Sequence, residues 1–157
     1  MKIKRFAKIT ALLLAAAIAI ASLVACFDFG ASFGGGETCT VVVAGTETTE
    51  YPVDLSKVEI REGVFSLLDY LQKEGKLEYD ASESTFGKFL NAVGSVQPNA
   101  ANSEYVQVYT SVEADFDTSA YFTEITYRGT RLGSSGLGAS SMTVEANAIY
   151  YFTLGSY

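Results

Sequence analysis

The stretch Glu62–Gly75, EGVFSLLDYLQKEG, decides the fold. Val64, Phe65, Leu67, Leu68 and Leu71 fall on one face at helical spacing, which predicts an amphipathic helix with a single buried stripe. Glu62 at its start and Lys73 in its last turn suit the helix dipole, and Gly75 reads as the C-terminal cap. Upstream, Thr38–Ala44 (TCTVVVA) is rich in β-branched residues and predicts a strand. After a turn at Gly45, Thr46–Val53 predicts a second strand with its threonines and charges facing solvent, and Pro52 places it at a sheet edge. The two make a hairpin.

Downstream, Leu77–Tyr79 is a short strand-like piece, and Phe86–Val96 carries strand signals interrupted by Gly87 and Gly94. Gln97–Glu104 is a loop. Tyr105–Val112 alternates well, with Tyr105, Gln107, Tyr109 and Ser111 on one side and Val106, Val108, Thr110 and Val112 on the other. Glu113–Ala120 is a loop, Tyr121–Tyr127 is strand-like, and Arg128–Ser140 is a glycine- and serine-rich loop. Met142–Ala146 and Ala148–Leu154 read as the last two strands, joined at Asn147. One helix cannot cover many parallel crossovers, so the expected class is α+β: a mixed or antiparallel sheet packed on one main helix, in a β-grasp-like arrangement.

The chain begins with a basic segment, MKIKRFAK, followed by Ile9–Ala25, which has no charged residue. That order is the pattern of a secretory signal peptide. The run is slightly short for a spanning anchor, which needs about 20 apolar residues. It ends Leu23-Val24-Ala25-Cys26, which resembles the bacterial lipoprotein box. The resemblance implies cleavage before Cys26 and a diacylglycerol on its sulfur, two acyl chains being enough for stable anchoring. The expected organisation is therefore a signal peptide at 1–25, a lipidated Cys26 with a glycine-rich linker at 26–37, and a folded domain at 38–157. The expected location is the cell membrane, lipid-anchored on the extracytoplasmic side.

Without residues 1–25 the chain keeps seven basic residues against eighteen acidic ones. That balance excludes nucleic acid as a partner, since phosphate binding needs a basic face. The chain has no histidine, which removes the commonest general base, metal ligand and activator of a nucleophilic serine. No serine lies in a Gly-x-Ser-x-Gly turn. Asp115-Phe116-Asp117 cannot open an EF-hand, because the required glycine and glutamate positions hold Ala120 and Thr126. Gly133-Ser134-Ser135-Gly136-Leu137-Gly138 lacks the Lys-Ser/Thr ending of a phosphate loop. Neither an enzyme nor a cofactor is expected. Cys39 sits in an alternating strand that would bury it as a small hydrophobe.

Several segments together carry a resemblance. The strand VVV at 41–43, the helix GVFSLLDYL, the stretch FGKFLNAVGSV, the aromatic strand YVQVYTS and the closing GLGASSMTVEANAIYYFTL follow one another between Cys39 and Leu154. The chain over that range resembles the transcobalamin C-terminal-like domain of bacterial surface proteins. Where that family often has a Tyr-Trp pair, this chain has Tyr105-Val106. Where the family has a Gly-Asp turn, this chain has Ala146-Asn147-Ala148. The resemblance implies a β-grasp-like binding domain, a small-molecule ligand such as a corrinoid or another vitamin, and a membrane transporter as partner. The tyrosines concentrate in the C-terminal half, and a tyrosine face suits a flat ligand or a protein interface. The expected ligand face joins the Tyr105–Ser111 strand to the Arg128–Ser140 loop, through Tyr105, Tyr109, Ser111, Ser134, Ser135 and Leu137. The alternative is a surface interaction module that binds a protein or glycan and carries no small-molecule cargo.

Overall fold

The computed structural model describes residues 37–84 and 87–157. The signal segment, Cys26 and the linker up to residue 36 lie outside the described residues. Chain order is β1 (Thr38–Ala44), β2 (Thr48–Asp54), α1 (Phe65–Lys73), β3 (Tyr79–Ser84), β4 (Gly87–Val93), β5 (Glu104–Thr110), β6 (Glu124–Tyr127), β7 (Thr130–Ser134) and β8 (Ile149–Ser156). Six strands form one sheet in the order β2-β1-β8-β5-β7-β6, while β3 and β4 pair as a separate ribbon. The last strand enters the middle of the sheet, parallel to β1 and antiparallel to β5.

The alternation read from the sequence sets the core. Cys39, Val41 and Val43 from β1, Val53 from β2, Val106 from β5, and Tyr150 and Phe152 from β8 bury one sheet face. Against it lies the stripe of α1, where Phe65, Leu67, Leu68 and Leu71 are fully buried. The β3–β4 ribbon adds Leu90 and Val93 to the same core. Helix α1 ends as expected: Gly75 has φ +66°, its N–H donates to the Gln72 carbonyl, and the Lys76 N–H donates to the Leu71 carbonyl. That pair of bonds is the glycine-capped ending in which orphan carbonyls find donors.

The architecture is α+β, mostly sheet with one helix among the described residues. It is not a β-grasp throughout, because the β3–β4 ribbon stands apart and the β6–β7 hairpin leaves the sheet plane. Three local expectations are corrected. The Arg128–Ser140 segment is not wholly loop, since it contains β7. Arg128 and Gly129 both have positive φ and make the two-residue turn between β6 and β7. Gly133 reads as a loop residue but is a packing requirement: a Cβ there would lie 2.8 Å from the rings of Phe116 and Phe122.

Met142–Ala146 is not a strand. It is a strap whose polar groups bond to side chains rather than to a ladder. The Thr143 N–H donates to the Asp115 carboxylate, and the Thr143 carbonyl accepts from the Tyr150 hydroxyl. The polar run Tyr79–Ser84, beyond the short strand expected at 77–79, is β3. Its partner β4 supplies the fully buried residues, and β3 itself offers the core only the partly buried Tyr79 and Ala81.

The outer face of the sheet is covered too. Glu50, Val42, Tyr151, Tyr109 and Ser134 lie in one row across β2, β1, β8, β5 and β7. Because β7 pairs with β5 only at Tyr109 and Thr110, the β6–β7 hairpin is free to swing over this row. Tyr127 lands 5.1 Å from the Tyr151 ring and donates its hydroxyl to Glu50, while Arg128 pairs with Glu50 at 2.9 Å. Val42 and Leu132 are both fully buried yet lie outside the main core.

Burial has a consequence for pH. The Cys39 thiol is pushed up to about 12 by burial, and the Tyr127 hydroxyl to about 12 by burial and then by its bond to Glu50. Burial also raises Tyr150. An unfolded chain gives up these protons from about pH 9 upward, while the folded chain keeps them. Stability is therefore expected to fall as pH rises from about 9 toward 12, read as a lower urea midpoint at pH 10.5 than at pH 8. An unchanged midpoint would mean that these groups ionise as easily inside the fold as outside it.

Candidate functional site

Strand β4 runs alongside β5 without pairing to it, and the gap between them is an open cleft. Its smaller part, about 220 Å3, lies among Lys88, Phe89 and Leu90 of β4, Tyr105–Val108 of β5, and Ser135 with Leu137–Ala139 beyond β7. Its larger part, about 540 Å3, continues past Phe89, Leu90 and Tyr105 to Pro98, Glu104 and Tyr157. Phe89, Leu90 and Tyr105 are common to both parts. The walls are apolar and partly aromatic. Phe89 is 51% exposed and Leu137 44% exposed, and the Tyr105 and Tyr157 rings stack 4.7 Å apart.

The polar side chains of the cleft are engaged by other groups of the fold. Lys88 bonds Glu62 at 2.6 Å and lies 5.3 Å from the Phe65 ring. Glu104 accepts from the Asn99 N–H and the Asn102 amide. The Tyr105 hydroxyl donates to Gln107 at 2.7 Å. Ser135 Oγ accepts from the Leu137 N–H, and the Ser135 N–H donates to the Val108 carbonyl, which ties the 135–139 loop to β5. Among the described residues no group of three or more histidine, cysteine, aspartate or glutamate side chains is placed to hold a metal ion.

Of the residues nominated from the sequence, Tyr105, Ser135 and Leu137 meet at the cleft. Tyr109, Ser111 and Ser134 do not. Tyr109 is half-buried on the outer face, 6.5 Å from the Tyr151 ring, with its hydroxyl 3.1 Å from Thr123 Oγ1. Alternation places Tyr105 and Tyr109 on one face correctly, but the hairpin covers the Tyr109 end. Ser111 closes the β5–β8 ladder, its Oγ accepting from the Ile149 N–H at 2.9 Å. Ser134 is buried in β7 and accepts from the Thr123 N–H. Cys26 lies outside the described residues.

The sequence reading missed Phe89, Leu90 and Tyr157. A signal was present for the first two. Adjacent apolar residues on a strand point to opposite faces, so the Phe89-Leu90 pair offers an apolar side chain to each face of its strand.

No protein-family model matches the chain, and no curated protein matches it in sequence. Solved structures do share its fold. A "putative metal binding protein" from Ruminococcus gnavus ATCC 29149 is 12% identical with a TM-score of 0.51, over 77% of this chain and 98% of that one. Haptocorrin in complex with Cbi is 12% identical with a TM-score of 0.50, over 85% of this chain. The match spans 29% of haptocorrin. At that identity the likeness is one of fold alone.

Proposed function

We propose that this domain binds a small molecule in the cleft between β4 and β5. The observation that carries the reading is the convergence of Phe89, Leu90, Tyr105 and Leu137 on one concave surface, with an aromatic extension at Tyr157. Binding sites for small ligands are concave and mostly apolar, with a few polar groups fixing orientation. The centre of the sheet, β2-β1-β8-β5 with β1 parallel to β8, supports a β-grasp-like description of the core. The resemblance to the transcobalamin C-terminal-like domain and the shared fold with haptocorrin support a corrinoid or another vitamin as cargo. The basic and apolar leader ending in Leu23-Val24-Ala25-Cys26 supports a lipid anchor at Cys26 and a place on the extracytoplasmic side of the cell membrane. A binding lipoprotein in that place hands its cargo to a membrane transporter and carries out no chemistry itself.

The test is a thermal-shift screen of the full chain in detergent against corrinoids, other vitamins and glycans. A ligand at one hundred times its dissociation constant stabilises the fold by about 2.7 kcal/mol. The expected result is an upward shift with one ligand class, reduced in Phe89→Ala and Leu137→Ala. A well-folded protein that shifts with none of these compounds points instead to the interaction module, to be pursued with membrane-protein partners.

A further inference from the structure

The floor of the smaller part of the cleft holds a peptide edge that no strand covers. Backbone groups along an antiparallel strand face its two neighbours alternately. The Ser111 N–H donates to the Ile149 carbonyl, so the odd-numbered residues of β5 face β8. The even-numbered residues face the other way, as the bonds from Glu104 to Asn99 and from Ser135 to the Val108 carbonyl confirm. Strand β7 pairs only with Tyr109 and Thr110, and β4 runs past without pairing, so no strand is hydrogen-bonded to Val106 on this side. Its N–H and C=O point together toward the cleft that Val106 lines. Val106 is only 9% exposed. A sheltered backbone donor and acceptor need a partner, from water or from a ligand.

The rest of the cleft narrows what that ligand is. The one charged side chain of this smaller part, Lys88, is already matched to Glu62, while Glu104 lies in the larger part. Tyr105 and Ser135 spend their hydroxyls within the fold. A charged ligand would enter with no counter-charge to meet it, at a desolvation cost. The available polar recognition is one donor beside one acceptor, set between the apolar side chains of Phe89, Leu90 and Leu137.

Resting on the reading of this cleft as a small-molecule site, we infer that its ligand is an uncharged molecule bearing a carboxamide. The amide accepts from the Val106 N–H and donates to the Val106 carbonyl, while the apolar body of the molecule packs on Phe89 and Leu137.

Amide NMR on the full chain in detergent tests this with three probes: 3-phenylpropanamide, methyl 3-phenylpropanoate, which lacks the amide donor, and 3-phenylpropanoic acid. The expected result is that the amide moves the Val106 N–H resonance together with those of Phe89 and Leu137. The ester should bind about tenfold more weakly and the acid more weakly still, one lost hydrogen bond being worth about that factor. In the unliganded protein the Val106 N–H should exchange with solvent about a hundredfold faster than that of Gln107, which is locked to β8. Equal binding of amide and ester, or equal protection of Val106 and Gln107, overturns the carboxamide inference and leaves the cleft standing. Cleft resonances that none of the three probes moves would overturn the inference and count against the cleft as well.

Discussion

Replacing Tyr150 by alanine is expected to lower stability by about 4 kcal/mol, a large share of what a domain of this size possesses. The ring is fully buried in β8, where it faces the helix stripe. Its hydroxyl also holds the strap that precedes β8, donating to the Thr143 carbonyl at 2.7 Å and accepting from the Glu145 N–H at 3.1 Å. Tyr150→Phe separates the two contributions. It keeps the ring and leaves both backbone groups unpaired, so it should cost about 1–2 kcal/mol. Urea unfolding of both variants measures this. If Tyr150→Phe matched the parent protein, the strap would be held by something other than this hydroxyl.

Asp115→Ala is expected to cost about 3 kcal/mol, because two hydrogen bonds from the strap to a buried carboxylate are lost. Asp115 is 3% exposed, and its carboxylate accepts from the Thr143 N–H at 2.7 Å and the Thr143 hydroxyl at 2.9 Å. Its carbonyl accepts from the Gly136 N–H at 3.0 Å. One residue thus fastens the strap and the 135–139 loop together, and that loop is a wall of the cleft. The variant should therefore show faster hydrogen exchange at Gly136 and Leu137 and weaker binding of any cleft ligand, beyond its lower urea midpoint. Asp115→Asn keeps the shape and one acceptor, and should fall between the two proteins. A destabilised Asp115→Ala protein with unchanged exchange at Gly136 would separate the strap from the cleft and sink this link.

The helix, the first hairpin and the alternation of β5 were legible because each depends on neighbours within a few residues. The period of Val64, Phe65, Leu67, Leu68 and Leu71 requires no partner to be recognised, and the glycine cap at Gly75 is a local backbone demand. The α+β class followed from counting one such helix among many strand signals. Strand β3 was harder to see. Its outward residues are polar, and its stability comes from pairing with β4, which only the folded chain brings beside it. Strand β7 was hidden for the opposite reason. Gly133 and the serines around it read as loop, yet the glycine is there to let two phenylalanine rings approach.

The candidate site divides in the same way. By itself the sequence determined one helix, the order of most strands and the faces of β5. It also brought out Tyr105, Ser135 and Leu137, which the fold collects at one cleft. Only the tertiary structure decided that Tyr109 is covered by the β6–β7 hairpin, that Phe89 and Tyr157 join Tyr105, and that the Val106 peptide edge is left open. Those outcomes depend on which strands sit beside which, and at what register. That arrangement is fixed by the packing of segments dozens of residues apart, so no local pattern along the chain encodes it.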